Sequence, residues 1–504
     1  MRAVRTVLVA LGCAAVMIAL SAPLQTQSVR EWRGSHQGEI LDEYSRLLRL
    51  PNIARNSADM RRNAEFIREM YARRGVGLQL LEVPDAPPAV FGELKTPGAA
   101  HTITLYAHYD GQPVVPAEWA NNTPFEPELR DTAGKLLPWP STNPFDPEWR
   151  LHARSASDDK APIMAILAAL DALKASGRRP SVNLKFFFDG EEEGGSPHLA
   201  AILTKYKSQL SSDGWVFCDG PMHPSRRPSL TYGSRGNMIL ELTIYGPLVE
   251  LHSGHYGNWA PNPALMLVQL LTSMKDESGR VRIRGFYDEV KPLTAPEKRV
   301  LNAMPKLDAE LMRSFALGSI EAEMPLGEAV TVPALNVQGI ISGGVGAEAR
   351  NVVPATATTS LGIRLVTAMD PKKTLNLVMD HIRRQGFFIT EQPATEEMRR
   401  SHAKVAYLRP TSGMTRAVRT PLDSLFATHI KDAIEKVHGP VIQVLTSGGT
   451  LPIDAIDDVL ASPVITLPIV NHDNNQHSHN ENIRLKNLWD GIETMASLMT
   501  LDWK

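Results

Sequence analysis

The chain has 504 residues, a formal net charge of −2 at pH 7 and a sequence pI of about 6.7. This length exceeds what one hydrophobic core usually accommodates, so two domains are expected. Charged residues of both signs are interspersed and form no basic stripe, which excludes nucleic acid and acidic polymers as expected partners.

The first residues have the pattern of a targeting segment. Two arginines precede the apolar run Val7–Leu20, and small residues follow that run. This predicts a signal peptide over residues 1–24, cleaved near Ala22, because the run is short for a membrane span. An uncleaved anchor is the alternative. We therefore expect export from a bacterium, to the periplasm or the medium, and one remaining cysteine, Cys218, without an intrachain disulfide.

Two different patterns of predicted secondary structure follow along the chain. Helical patterns alternate with apolar strands from about Glu39 to Tyr232, as in the βα units of a mostly parallel sheet. After Gly236, about four strands and two helices suggest a small α+β sandwich. We therefore expect an α/β fold in which one domain, over residues 30–235 and 409–504, is interrupted by a smaller α+β domain over residues 236–408.

One internal repeat occurs before the first long helix. The segment TPFEPELR, residues 123–130, recurs as NPFDPEWR, residues 143–150. Because both copies are rich in proline, neither is expected in the centre of a sheet. The second copy is either a flap facing a substrate or a surface elaboration, and we favour the second interpretation.

Three acids stand directly after a predicted strand in FDGEEEGGSPHL, residues 188–199. Adjacent carboxylates repel each other unless a proton or a metal ion neutralises them. Other candidate metal-ligating residues end predicted strands or lie in polar turns. In open α/β sheets the binding sites lie at the carboxyl ends of the strands. Carboxylates mixed with imidazoles suit zinc, manganese or cobalt. These candidates are His108, Asp158, Asp219 and His477.

Each candidate also has a purely structural interpretation. Runs of acids usually lie on solvated surfaces, Asp158 precedes a helix that it would cap, and Asp219 stands in an Asp-Gly turn. His477 shares a polar loop with His472 and His479. The apolar strand before the three acids and the glycine turn after them favour the metal interpretation.

The order of these motifs resembles the M20 family of co-catalytic zinc peptidases and amidohydrolases, and within it the carnosinase-like dipeptidases. The motifs are YAHYDG, SDDK, FDGEEEGGS, a strand-end Asp219 and HSHNENI, with supporting segments TYGSRGN, LHSGHYGN, ARNVVP and SGGTLP. The resemblance covers nearly the whole chain after the leader. It implies a catalytic domain with a mostly parallel central sheet and a smaller α+β lid domain through which a homodimer forms.

The resemblance implies two zinc ions, for which manganese or cobalt can substitute. His108, Asp158 and Asp219 would bind one ion, and Asp158, Glu193 and His477 the other. Asp158 would therefore bridge the two ions, as shared carboxylates do in two-metal hydrolases.

The resemblance also implies catalytic and substrate-binding residues. Glu192 would be the general base acting on a metal-bridging water, and Asp110 would orient the ring of His108. The implied substrate-binding residues are His252 for the oxyanion, Asn351, Arg350 as a candidate for the substrate carboxylate, and the glycine-rich loop of Ser447, Gly448, Gly449 and Thr450.

The implied activity is hydrolysis of the amide bond of dipeptides, or release of the C-terminal residue of short peptides. An N-acyl amino acid amidohydrolase is the alternative, and an inactive binding protein on the same fold is a third interpretation. The chain departs from the family where Ala153-Arg154-Ser155 replaces the usual Gly-Arg-Gly and Ala161 replaces a glycine. These departures place side chains at the floor of the expected pocket.

Overall fold

The computed structural model describes residues 28–139, 144–411 and 413–503. The signal peptide predicted over residues 1–24 lies outside this part of the chain. Among the described helices, none has both the length and the apolar character needed to cross a membrane.

The strands alternate with helices over most of the chain. In chain order the strands are β1 (Leu78–Leu81), β2 (Ala89–Leu94), β3 (Thr102–His108), β4 (Glu128–Arg130), β5 (Arg150–His152), β6 (Asn183–Asp189), β7 (Gly214–Phe217), β8 (Ser229–Thr231), β9 (Gly233–Ser234), β10 (Gly236–Tyr245), β11 (Leu251–His252), β12 (Ala334–Ile341), β13 (Val352–Val353), β14 (Thr356–Leu365), β15 (Phe388–Thr390), β16 (Val405–Pro410), β17 (Val418–Arg419), β18 (Ile442–Val444), β19 (Val464–Thr466) and β20 (Asn482–Arg484).

Residues 28–35 are also helical. The helices that follow are α1 (Gln37–Leu48), α2 (Ser57–Ala72), α3 (Lys160–Ala175), α4 (Leu199–Lys205), α5 (Lys207–Leu210), α6 (Ser253–Tyr256), α7 (Pro263–Met274), α8 (Ala295–Ala303), α9 (Asp308–Ser314), α10 (Leu326–Ala329), α11 (Pro371–Arg384), α12 (Glu396–Ser401), α13 (Leu425–His438), α14 (Ile453–Leu460) and α15 (Leu485–Met499). Short 3-10 turns occur at Pro116–Glu118, Glu192–Gly194 and Gly346–Glu348.

The chain forms two compact units. The first unit runs to Tyr232 and includes Thr420–Val444 and everything from Ala455 onwards, and the second comprises Gly233–Arg419 and Leu445–Asp454. The domain boundaries expected from the sequence, at residues 235/236 and 408/409, thus differ from the divisions of the structure at 232/233 and 419/420, by three residues and by eleven. The second unit also contains Leu445–Asp454, which the sequence interpretation assigns to the resumed first domain.

The first unit is built on an eight-stranded sheet in the order β1-β2-β6-β3-β7-β19-β8-β18. Its centre is parallel, since β3 pairs in parallel with β6 and β7, and β7 with β19. β1 and β2 extend one side in antiparallel orientation. The central strands β3, β6 and β7 are almost wholly buried, which explains their continuous apolar sequences.

Helices α3 and α15 pack against each other beside this sheet. The alanine-rich sequence of α3 is buried on nearly all sides, which fits a helix that is apolar around its whole circumference. Asp159 occupies its N-cap position, but the Asp159 side chain makes no capping hydrogen bond. Asp158 and Asp159 therefore stand directly before the first turn of α3 without capping it through a side chain of Asp159.

A small three-stranded sheet in the order β20-β5-β4 lies in the same unit. β5 pairs antiparallel with both neighbours, so that Arg150 is opposite Arg130 on one side and Arg484 on the other. This sheet links the ends of the two repeat copies to the segment that follows His477.

The second unit contains a five-stranded sheet in the order β12-β14-β10-β16-β15. All pairs are antiparallel except β15 with β16. β10 alternates between buried and half-buried residues, as expected for a strand with one face on a core. Helices α7 and α11 supply the other side of this core, which includes Leu267, Leu270, Val378 and Ile382. The sequence predicts about four strands here, and the short edge strand β15 is the addition that the structure shows.

Candidate functional site

Three adjacent parallel strands end at the same edge of the central sheet. His108 is the last residue of β3, the three acids follow β6, and Asp219 follows β7 by two residues. Because the carboxyl ends of parallel strands meet at one edge, residues distant in sequence become neighbours there.

One group of candidate metal ligands is fully buried. The Nε2 atom of His108 lies 3.0 Å from Asp158 Oδ1 and 4.0 Å from Asp219 Oδ1. One ligand atom from each residue lies within 4.8 Å of the others. One imidazole and two carboxylates form a donor set that suits a divalent transition metal.

A second group shares Asp158 with the first. The Nε2 atom of His477 lies 3.1 Å from Asp158 Oδ2 and 3.2 Å from Glu193 Oε2. Gln112 donates a hydrogen bond of 2.7 Å to Glu193 Oε2. The two oxygens of Asp158 thus face different groups, as a bridging carboxylate requires.

Glu192 belongs to neither group. Its Oε2 atom lies 3.9 Å from His108 Nε2, and 16% of its side chain is exposed. The structure therefore separates the two neighbouring acids, with Glu193 among the candidate ligands and Glu192 beside them.

Burial and mutual repulsion shift the pKa values of these carboxyl groups. Burial and the nearby Asp219 raise the pKa of Glu192 well above its ordinary value. Burial, aided by Asp158, raises the pKa of Glu193 to about 7. Burial raises the pKa of Asp219 to about 6, although His108 opposes the shift. This concentration of buried negative charge fits divalent cations, which would stabilise the ionised carboxylates.

His108 and Asp158 stabilise each other's charged forms. Burial lowers the pKa of His108, but hydrogen bonds with Asp110 and Asp158 outweigh it and raise the pKa well above its ordinary value. Burial raises the pKa of Asp158, but hydrogen bonds with His108 and His477 outweigh it, so the pKa lies below its ordinary value.

Asp110 performs two structural tasks at the site. One of its carboxylate oxygens lies 3.3 Å from His108 Nδ1, which leaves Nε2 of that ring facing the candidate ligands. The same carboxylate accepts hydrogen bonds from the backbone N–H groups of Glu192 and Glu193, at 3.1 and 3.0 Å. The second task was not foreseen from the sequence. Asp110 thus fixes both the ring and the acidic turn.

Glu481, in the motif HSHNENI, has a structural role that the sequence did not predict. It is fully buried and accepts hydrogen bonds of 2.9 Å from the N–H groups of Ser155, Ser157 and Asp158. Arg154 donates to it at 2.7 Å. Glu481 therefore holds the whole turn that presents Asp158. Its partners are more than 300 positions away in the chain, so its local sequence carries no signal of this role.

Glu191, the remaining acid of the three, stabilises the following helix start. It accepts a 2.7 Å hydrogen bond from the N–H of His198, and its other oxygen lies 2.9 Å from His198 Nδ1. The three consecutive acids thus have three different surroundings.

The residues that replace the family's glycines at the expected pocket floor fit into the structure. Ser155 has a left-handed backbone with φ of +60°, a conformation that glycine adopts most readily. Its hydroxyl accepts a 2.8 Å hydrogen bond from Asn52. Ala153 and Ala161 are almost completely buried. The added side chains pack inside the protein and leave every candidate ligand in place.

Three of the predicted substrate-binding residues lie together in the second unit. His252 in β11 is opposite Val352 in β13, and the N–H of Ser253 donates to the carbonyl of Asn351 at 2.8 Å. The side chains of His252 and Asn351 are exposed. Arg350 makes an ion pair of 2.7 Å with Glu250.

The glycine-rich loop is also anchored within the second unit. The N–H of Ser447 donates to the carbonyl of Gly233, and Thr450 donates to the carbonyl of Arg235, both at 2.8 Å. Arg364 donates to the Thr450 hydroxyl at 2.8 Å. Burial and Arg364 lower the pKa of Arg235 to about 10. Sequence reasoning missed both arginines beside this loop.

Comparison with known proteins identifies relatives over most of the chain. The sequence profile of peptidase family M20/M25/M40 matches residues 104–501. The Cys-Gly metallodipeptidase DUG1 of Saccharomyces cerevisiae is 28% identical over 421 residues, which are 82% of this chain and 82% of the yeast protein. Human beta-Ala-His dipeptidase is 28% identical over 419 residues, which are 82% of this chain and 76% of the human protein.

The fold also matches a solved structure. An M20 family metallo-carboxypeptidase, Sso-CP2 from Sulfolobus solfataricus, has a TM-score of 0.74 and 26% identity, and the match covers 92% of this chain and 98% of that one. This likeness confirms the predicted α/β fold class and the predicted family resemblance.

The comparisons contradict the predicted location of the protein. Relatives that align with more than four fifths of the chain are dipeptidases of yeasts and mammals, organisms without a bacterial periplasm. The prediction of an exported, periplasmic or secreted bacterial protein is therefore wrong. The apolar N-terminal run that suggested it lies outside the described residues.

We predict that Glu481→Gln destabilises the first unit by about 3 kcal/mol, because Arg154 would lose its buried charged partner. Urea unfolding followed by circular dichroism measures the change. Glu69→Gln is the matched control, since Glu69 is an exposed glutamate of α2 in the same unit, and its cost is expected within about 0.5 kcal/mol. Equal stability of the two variants would refute the role given to Glu481.

Proposed function

Because the chain belongs to peptidase family M20/M25/M40 and is a metallopeptidase, we propose that it hydrolyses the amide bond of dipeptides or releases the C-terminal residue of short peptides. The observation that carries this proposal is the pair of ligand groups joined at Asp158, with Glu192 beside them. The relatives named as Cys-Gly and beta-Ala-His dipeptidases favour dipeptides as substrates.

Two divalent cations fit the residues present, and we propose zinc, with manganese or cobalt as substitutes. His108, Asp158 and Asp219 would hold one ion, and Asp158, Glu193 and His477 the other. When bound, such ions polarise a carbonyl and lower the pKa of water, which is the Lewis-acid chemistry that amide hydrolysis needs.

Glu192 is the proposed general base. Its carboxyl group lies 3.9 Å from His108 of the first ligand group and belongs to neither group. Its backbone is held by Asp110, so the carboxylate is directed from a fixed turn. In this proposal Glu192 takes the proton of the attacking water and then donates it to the leaving amine. Asp110 contributes by fixing the His108 ring and the acidic turn together.

Substrate binding is proposed for residues of the second unit. His252 would donate to the oxyanion that develops on the carbonyl, an interaction worth about 3 kcal/mol in other hydrolases, and Asn351 would make a similar contact. The loop Ser447–Thr450 would bind the substrate carboxylate through backbone N–H groups. Since Arg350 is paired with Glu250, Arg364, whose guanidinium donates to the Thr450 hydroxyl, is better placed than Arg350 to add positive charge at the loop.

We further propose a homodimer formed through the second unit. Strand β12 pairs only with β14 and is therefore an edge strand among the described residues. It exposes three apolar side chains, Val337, Ile340 and Ile341, at 40, 53 and 71%. Edge strands with such side chains readily pair with another chain, and a second copy would place the same surface opposite it with two-fold symmetry.

Glu192→Gln is expected to retain both metal ions and to lower kcat for dipeptide hydrolysis by roughly 10²- to 10⁴-fold, because the amide cannot accept the proton. Metal content and steady-state kinetics measure the two properties separately. The neighbouring Glu193→Gln serves as the matched variant and should lose metal as well as activity. If the Glu192→Gln enzyme hydrolysed dipeptides at the full rate, Glu192 would not be the general base.

A substrate panel tests the dipeptidase assignment. The zinc-loaded protein should cleave Cys-Gly, β-Ala-His and other dipeptides, with little or no activity on N-acetyl amino acids, because the relatives are named for dipeptides with free amino groups. Release of free amino acids is followed by chromatography. Cleavage confined to acylated amino acids would show instead that the protein is an amidohydrolase of that class.

Ile341→Lys should convert the dimer into a monomer, since a charge at the most exposed of the apolar side chains of β12 is costly to bury in an interface. Light scattering after gel filtration should then give a mass near the 55.4 kDa of one chain. Val345→Lys is the control, because Val345 is 87% exposed but lies beyond the end of β12. A monomeric unsubstituted protein would contradict the dimer proposal.

A further inference from the structure

The candidate ligand His477 lies in a closed loop formed by residues 471–484, here called the His477 loop. The two sides of the loop meet at its base. The N–H of Asn482 donates to the carbonyl of Asn474 at 2.8 Å, and the N–H of Arg484 donates to the side-chain oxygen of Asn471 at 2.8 Å. Closing this base determines where the tip of the loop lies.

Arg150 joins the two sides of this base with one guanidinium group. Its Nη1 atom donates to the carbonyl of Asp473 at 2.9 Å and to Asn482 Oδ1 at 3.0 Å. Its Nη2 atom donates to the carboxylate of Asp473. The planar fork of arginine can make these bonds at once, whereas a lysine ammonium group could not reproduce their geometry.

The carboxylate of Asp473 is the other half of this arrangement. Besides Arg150, it accepts hydrogen bonds from Arg484 Nη2 and Asn471 Nδ2, both at 3.0 Å. Burial raises the pKa of Asp473, but the hydrogen bond from Arg150 and its other partners outweigh burial and hold the pKa well below its ordinary value. Asp473 is therefore ionised and bound from both sides of the loop base.

Arg150 is the last residue of the second repeat copy, whose role the sequence left open. The carbonyls of Pro147 and Trp149 accept hydrogen bonds from the N–H groups of Lys486 and Leu485, at 2.7 and 2.9 Å. Phe145 of the same copy is only 4% exposed. The described residues 144–150 of this copy are thus attached to the chain directly after the His477 loop, with Phe145 buried beneath them.

The first copy provides an internal comparison. Arg130 holds the equivalent position, and it is opposite Arg150 in the pairing of β4 with β5. The side chains are similarly accessible, at 22% for Arg130 and 25% for Arg150. The hydrogen bonds of the Arg130 side chain go to Glu128 and to the carbonyl of Gly134, within its own hairpin. Equivalent residues of the two copies thus differ in what they hold.

We propose that Arg150 and Asp473 are positioning residues that set the His477 loop so that His477 can bind a metal ion together with Asp158 and Glu193. This inference rests on the ligand set in the proposed function. In this proposal the second repeat copy has a structural role, because its last residue, Arg150, closes the base of the His477 loop. Residues that orient metal ligands commonly affect metal affinity by about 10- to 100-fold when they are substituted.

The test compares Arg150→Ala with Arg130→Ala in the full chain. Stepwise zinc affinities are measured by competition with a chromophoric chelator, and thermal unfolding is recorded in parallel. Arg150→Ala should weaken one of the two zinc ions by about 10- to 100-fold and leave the other unchanged. Arg130→Ala should leave both affinities unchanged. If Arg150→Ala only lowered general stability, the unfolding midpoint would fall, but the affinity for one zinc ion would not change more than the affinity for the other.

Two further variants distinguish a failure of the positioning role from a failure of the proposed ligand set. Asp473→Asn, which keeps the shape of the side chain, should weaken the same ion and replaces Arg150→Ala if that variant does not fold. His477→Ala is the reference for loss of that ion. If His477→Ala weakens one ion but Arg150→Ala and Asp473→Asn do not, the positioning role is refuted while the ligand set stands. If His477→Ala changes neither affinity, the ligand set fails, and this inference fails with it.

Discussion

The structure depends on one electrostatic constraint, the burial of several carboxylates at the carboxyl edge of the central sheet. Asp158, Glu192 and Asp219 lie within 4.0 Å of the buried imidazole of His108, and Glu193 lies beside Asp158 in the second ligand group. Taking charges out of water is costly unless they are paired or bind a cation. The raised pKa values of Glu192, Glu193 and Asp219 express that cost. A site of this kind gains from binding divalent cations because they remove the repulsion that the fold creates.

The surrounding acids bind hydrogen-bond donors of their own, which offset the cost of burying their charge. Asp110 accepts the N–H groups of the acidic turn, and Glu481 accepts three N–H groups and the charge of Arg154. Asp473 is bound by two arginines. Each of these carboxylates is stabilised as an anion by hydrogen bonds. Their negative charge therefore organises the backbone and leaves the candidate ligands to face the cation position.

The sequence could predict the candidate ligands because simple rules of topology govern them. His108 and Asp219 end parallel strands, and the acids follow a third, so their convergence follows from the sheet alone. Glu481 and Arg150 could not be placed in this way, since their partners are more than 300 positions away in the chain. Nothing in their local sequence indicates those partners. Edge strand β15 was missed because three residues carry too little pattern. The predicted export rested on N-terminal composition, which does not depend on the fold.

The serine at the pocket floor shows how the same hydrogen-bond network tolerates a departure from the family pattern. A left-handed backbone costs a residue with a side chain about 1–2 kcal/mol relative to glycine. At Ser155 the hydroxyl accepts from Asn52, and the N–H donates to Glu481. The hydroxyl hydrogen bond, worth about 1 kcal/mol, offsets part of that cost, whereas the N–H bond to Glu481 is one that glycine would make as well. The substitution is therefore compatible with an intact site because Glu481 fixes the turn through its backbone, whichever side chain stands at this position.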